Sequence, residues 1–113
     1  MTLKKIATAL HLSVCTGGDQ LDQEVTGGYA GDLLSDVIAN SKAGQLWITM
    51  QVHSNIVAVA VLKDLAGIVV VQGRQPADDT LKKASEENVA ILVSKLPAFE
   101  TAGKLSMLLT GSS

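Results

Sequence analysis

The side chains able to do chemistry are few and scattered along the chain. The two histidines, His11 and His53, lie far apart, and neither has a second His, Cys or carboxylate at ligand spacing, so no metal site is expected. Cys15 is the single cysteine. Nothing near it in sequence would activate a thiolate, and it reads as a small core residue rather than a nucleophile. Asp32 and Asp36 fall on one face of a helical pattern, which suits a cap and a solvated residue better than a reactive pair. Thr16-Gly17-Gly18 and Thr26-Gly27-Gly28 are glycine pairs that lack the Gly-Lys-Ser/Thr of a phosphate loop, and Gly103-Lys104 sits inside a helical pattern. No Gly-x-Ser-x-Gly elbow occurs. The expectation is a chain with no catalytic residue, no metal and no cofactor.

One constellation does carry a binding chemistry: Gln51, His53, Ser54 and Asn55, followed by Gly73 and Arg74. The elements that would position it run from Leu46 to Pro76. Leu46–Gln51 reads as a strand, with Leu46, Ile48 and Met50 on one face and Trp47, Thr49 and Gln51 on the other. Val52–Ser54 is a polar break. Asn55–Leu65 alternates at its start and so resembles a strand, but Ser54 or Asn55 suits an N-cap, and the apolar run continues past strand length. Gly67–Gln72 is a second buried strand and Gly73–Pro76 a turn. This order is a βαβ unit with parallel strands and its helix on one sheet face. A helix apolar on all sides needs cover on both, by the sheet and by another helix or a second subunit. Trp47 and Ile56–Leu62 are therefore candidates for core or interface.

In open parallel sheets, ligands bind beyond the carboxyl ends of the strands. Two neighbouring ends here offer a helix N-terminus, a flexible glycine, the Arg74 guanidinium and the His53 imidazole, a set that can hold a small anion or a nucleotide phosphate. The same residues also read as an ordinary helix cap and turn, since every such fold has polar loops at these ends. A third strand end carries Ser94 and Lys95.

The remaining chain supplies the layers around this unit. Thr2 suits the cap of a first helix with Leu3, Ile6 and Leu10 on one face. His11–Cys15 alternates like a strand, with Leu12 and Val14 inward, and Thr16–Asp19 is a turn. Leu21 opens an extended stretch reaching Gly27-Gly28. Leu33, Leu34, Val37 and Ile38 mark a helix over Leu33–Ser41, with Asp32 or Ser35 as cap. Asp78 or Asp79 caps a polar helix, Thr80–Asn88, with Leu81 and Ala84 inward. Val89–Val93 is a buried strand. Pro97 opens a last helix to about Leu109, with Phe99, Ala102, Leu105 and Leu109 inward.

The totals restrict the class. A chain of 113 residues holds one domain with one core. Hydrophobic residues make up 47% and charged residues only 18%, apolar enough to suggest burial against a partner. A net charge of −2 and an aromatic content of 3% speak against nucleic-acid binding. The single cysteine fits a reducing cytoplasm. The start, MTLKKIATAL, has no long apolar core of a signal peptide, and the longest apolar run, Ile56–Leu62, is far short of a membrane span.

Three segments in order, VTGGYAGDLLSDVIAN, LWITMQVHSNIVAVAVL and IVVVQGRQP, resemble the DRTGG domain, in its small stand-alone form. The similarity runs from about His11 to Leu109. It implies a fold like the N-terminal domain of MurF and HPr kinase/phosphorylase: three α/β/α layers with a mainly parallel or mixed sheet, formed by residues 1–113 as one domain. Relatives of this family sit inside phosphotransacetylases or between CBS domains of regulatory pyrophosphatases. The resemblance thus implies a non-catalytic regulatory module that forms a homodimer. The family's Asp-Arg pair falls on Val52 and His53, and its Thr-Gly-Gly on Val71, Gln72 and Gly73, so only Gly73 keeps its identity. His53 carries the arginine's charge only when protonated. The alternative from another class is a phosphate- or nucleotide-handling enzyme related to HPr kinase or phosphotransacetylase. It would need a P-loop or a catalytic constellation, and the sequence has neither.

Overall fold

The computed structural model describes residues 1–111. Its first helix, α1 (Leu3–Ala9), opens as the sequence predicts: the Thr2 hydroxyl accepts a hydrogen bond from the Lys5 N–H at 3.3 Å, and Leu3 and Ile6 are buried. Then follow β1 (Ser13–Thr16), a single 3-10 turn at Gly18–Gln20, β2 (Gly27–Ala30) and α2 (Leu34–Asn40). The second half repeats strand and helix: β3 (Gln45–Thr49), α3 (Asn55–Lys63), β4 (Gly67–Val70), α4 (Asp78–Glu86), β5 (Ile91–Val93) and α5 (Ala98–Thr110).

The five strands form one sheet in the order β1-β5-β4-β3-β2. Strands β2 to β5 are mutually parallel, and β1 joins β5 antiparallel, so the sheet is mixed. Strand alternation divides the core in two. Leu46, Ile48, Val69 and Leu92 point to one face and pack with Leu3 and Ile6 of α1 and Leu105 of α5. Trp47, Ile68, Val70 and Ile91 point to the other and pack with Val37, Ile56, Val57 and Ala84 of α2, α3 and α4. The architecture is therefore three-layered, with two helices on one side and three on the other. The βαβ reading of residues 46–76 holds, and α3 is a helix despite its alternating start.

Several inward assignments are corrected. Val14 is 41% exposed on the edge strand β1 although it pairs in register with the buried Leu92; past the irregularity between Val14 and Thr16, it is Thr16 that is buried. Leu21–Val25 is no strand; it lies against the start of α1, with Leu3 and Lys4 N–H donating to the Gln23 and Leu21 carbonyls. The Gly27-Gly28 pair stands inside β2 rather than after it. Leu33 is 67% exposed at the N-cap of α2, and Ile38 also faces solvent, since the inward line runs through Leu34 and Val37. Neither Asp32 nor Ser35 caps this helix. Phe99 is 87% exposed: the inward stripe of α5 runs through Ala98, Ala102, Leu105 and Leu109, and one residue further on turns the side chain by about 100°. Asp78 and Asp79 lie in the first turn of α4, which begins after Ala77, with no side-chain cap. Cys15 is exposed on the edge strand rather than in the core. Its thiol is held above the ordinary range by partial burial, the opposite of an activated nucleophile.

Candidate anion site at the strand tips

The carboxyl ends of β3, β4 and β5 are tied into one rim by hydrogen bonds between their loops. The Gly73 N–H donates to the Ser94 carbonyl at 2.8 Å and the Gln72 N–H to the Leu96 carbonyl at 2.9 Å, which joins the tips of β4 and β5. The Val52 carbonyl accepts from the Ala77 N–H at 3.1 Å and from the Thr80 hydroxyl at 2.8 Å, which holds the loop after β3 against the start of α4. The loop carrying His53 therefore lies beside the loop that leads from Arg74 into α4.

Each residue singled out from the sequence has a distinct place on this rim. Gln51 is a brace: its amide donates to the Asp32 carbonyl at 2.9 Å, and its N–H donates to the Thr49 hydroxyl at 3.2 Å. His53 is exposed, and its carbonyl takes the Ile56 N–H. Ser54 occupies the N-cap of α3 in a right-handed helical conformation, and its hydroxyl makes no capping bond, contrary to the usual role of a serine there. Asn55 is the first helical residue and is exposed. Gly73 and Arg74 are exposed in a tight turn in which the Arg74 N–H returns to the Val71 carbonyl. Both central residues of that turn, Gln72 and Gly73, have positive φ (62° and 64°), as a type I′ turn requires.

Two residues of the rim escaped the sequence reading. Asp32, placed as a helix cap, reaches from the end of β2 to β3, where its carboxylate accepts from the Thr49 hydroxyl at 2.8 Å and the Met50 N–H at 2.7 Å. Thr49 is buried, and its hydroxyl links Asp32 to Gln51. The signal was weak but present: Asp32 lies two residues past the end of β2, at the strand end where polar side chains commonly meet. At the third tip, the Ser94 and Thr101 hydroxyls lie 2.9 Å apart in the interior, and Ser94 also accepts the Leu96 N–H. Trp47 belongs wholly to the core, with its indole N–H on the Gly31 carbonyl at 2.8 Å. In α3, Ile56, Val57, Val59 and Ala60 are buried, whereas Val61 and Leu62 are 49% and 67% exposed.

Chemically the rim can offer hydrogen-bond donors and the mobile charge of Arg74, with Lys95 on the β5 tip, against the carboxylates of Asp78 and Asp79 in the first turn of α4. Among the described residues no group of three or more His, Cys, Asp or Glu side chains is placed to hold a metal ion. No described helix is long and apolar enough to cross a membrane.

No protein-family profile matches the chain, and no curated protein does. Its likeness is to solved structures. One is the CBS and DRTGG domains of the regulatory region of Clostridium perfringens pyrophosphatase, in complex with the activator diadenosine tetraphosphate. The two superpose with a TM-score of 0.71 at 12% identity, over 92% of this chain and 45% of that one. The shared fold is DRTGG-like; at that identity the likeness extends to the fold alone.

Proposed function

We propose that residues 1–113 form one DRTGG-like regulatory domain that senses a small anionic ligand or nucleotide, catalyses no reaction, and works as a cytoplasmic homodimer. The observation that carries the reading is the double hydrogen bond to the Val52 carbonyl, which sets the N-terminus of α3 beside the Arg74 loop. The positive end of α3, whose Ser54 makes no side-chain cap, and the exposed Arg74 on that loop suit a phosphate. The likeness to a regulatory region that binds a dinucleotide activator supports the same direction. Gln51 acts in this reading as the brace of the rim, and His53, Ser54, Asn55, Gly73 and Arg74 as its ligand-facing residues. The exposed Val61 and Leu62 on α3 support burial against a second copy, for which about 800 Å² per subunit suffices.

The test is a thermal-shift series with inorganic phosphate, ATP and diadenosine tetraphosphate on the purified chain. The expected result is a rise in Tm with at least one of them, lost in Arg74→Ala. No rise with any of the three, or a rise untouched by Arg74→Ala, rejects the site. Light scattering at micromolar concentration tests the dimer separately.

A further inference from the structure

A second concavity lies on the α1/α5 side of the sheet, along the outer strand β2. It has a volume of about 490 Å³ and is walled by Gly28, Ala30, Ile48, Ala102, Leu105 and Leu109. Thr26 and Ser106 add hydroxyls at its rim, and no charged side chain lines it. A Cβ on Gly28 would stand 2.9 Å from the Leu105 Cδ2, so a side chain there would push that methyl aside and narrow the groove.

The same strand is an open edge. β2 is last in the sheet and pairs only with β3. The Gly31 N–H donates to the Ile48 carbonyl, so the alternation of a parallel ladder turns Tyr29 and Gly31 toward β3 and leaves the N–H and C=O of Gly28 and Ala30 facing outward. Both residues are exposed, and among the described residues no other element hydrogen-bonds to them. Edge strands are usually protected by a charge, a proline or a bulge. The opposite edge, β1, has a bulge. β2 has none of these in Thr26–Gly31, and its register with β3 is unbroken.

We infer that the edge of β2 and the groove beside it form a docking site for an extended peptide segment of a partner protein. The segment adds to the sheet as a sixth strand beyond the existing five and lowers alternate apolar side chains into the groove. The backbone identifies the ligand class. Donors and acceptors on Gly28 and Ala30 repeat every second residue, about 7 Å apart, the spacing at which another strand presents its own. The side chains of that strand on the α5 side then fall above Ile48, Leu105 and Leu109, where uncharged walls select aliphatic or aromatic residues over charged ones. This surface is separate from the strand-tip rim, so neither reading depends on the other.

The test selects ligands for the full chain from a phage-displayed library of random linear peptides and measures synthetic copies of the enriched sequences. The expected result is enrichment of peptides with apolar residues at alternate positions, whose binding moves the Gly28 and Ala30 amide resonances. Ala30→Pro removes one outward donor at a position where an edge strand tolerates proline; Ser106→Phe fills the groove from its rim. Each is expected to weaken binding at least tenfold. Should Ala30→Pro fail to fold, Ser106→Phe decides. The proposal is overturned if no peptide is enriched, if binding survives the folded variants, or if the chain is a dimer that Ala30→Pro or Ser106→Phe dissociates, since the edge would then belong to a second copy.

Discussion

The Asp32 carboxylate and the Met50 N–H lie 2.7 Å apart, across the ends of β2 and β3. The same oxygen accepts the buried Thr49 hydroxyl, so one side chain closes the tips of both strands and supports the brace at Gln51. Hydrogen bonds to a charged group contribute about 1.5–3 kcal/mol each when buried, less where water competes. Asp32→Ala is therefore expected to destabilise the fold by about 2 kcal/mol. Urea unfolding followed by the fluorescence of Trp47, the single tryptophan, measures this directly. A loss below a few tenths of a kcal/mol would mean that water replaces the carboxylate at no cost.

Tyr29 donates to the Asp36 carboxylate at 2.6 Å, and this bond, with burial and the carboxylate's charge, pushes the phenol above its ordinary pKa. A pKa raised in the folded state contributes stability that is complete below the unfolded value, near 10, and is lost as pH climbs through the folded one. The single tyrosine makes the titration visible by tyrosinate absorbance. The midpoint is expected above that of free tyrosine, and Asp36→Asn should lower it. Tyr29→Phe should flatten the corresponding alkaline loss of stability.

Glu24 is the acid-side counterpart. Its carboxylate accepts from the N-terminal ammonium at 2.8 Å, and that bond lowers its pKa. The sign is reversed: the contribution is present above the ordinary carboxylate range and disappears as pH falls through the lowered value. Glu24→Gln should remove this part of the acid limb and leave the neutral plateau nearly unchanged, because the pair is exposed and screened. Acid titration of the two proteins by circular dichroism compares the limbs.

Elements with a strong local code were legible before any coordinates. Thr2 caps α1, and the Leu46/Ile48 and Trp47/Thr49 alternation of β3 divides correctly between the two core faces. The errors arise where tertiary context overrides that code. Val14 stays exposed because β1 ends up as an edge strand, which residue types do not announce, and Phe99 because the stripe of α5 was read one position off. The strand-tip residues were named, yet Asp32 was taken as a cap. Its partners, Thr49 and Met50, lie in a different strand, and only the parallel pairing of β2 with β3 brings them into reach. The groove beside β2 had no sequence signal beyond Gly27-Gly28, since its other wall comes from a helix seventy-odd residues later.

The turn at Gln72 and Gly73 separates strain from crowding. Gly73 has a φ of 64°, and a Cβ there would meet nothing within 4 Å. Gly73→Ala thus pays only the left-handed conformation, about 1 kcal/mol. Gln72, at 62°, already carries such strain, and Gln72→Gly should relieve it, offset by about 0.5–1 kcal/mol of extra chain entropy in the unfolded state. The expected outcome is a clear loss for Gly73→Ala and a change near zero for Gln72→Gly, by chemical denaturation. Equal losses would show that the turn is held by its side chains instead.

Thr80 links stability to the proposed site. It is fully buried in α4, and its hydroxyl donates to the Val52 carbonyl at 2.8 Å, one of two bonds that fix the loop carrying His53. Thr80→Val keeps the shape and β-branching of the side chain but removes the donor. The Ala77 N–H still satisfies the carbonyl, so the cost should stay near 1 kcal/mol rather than that of an orphaned buried group. The loop, however, loses its anchor to α4. If a phosphate or nucleotide binds between the α3 N-terminus and Arg74, Thr80→Val should weaken the ligand-induced rise in Tm by more than the lost stability explains, and amide exchange at His53 and Ser54 should quicken. Faster exchange with an unchanged ligand shift would place the anion away from this loop and leave Thr80 a purely structural tie.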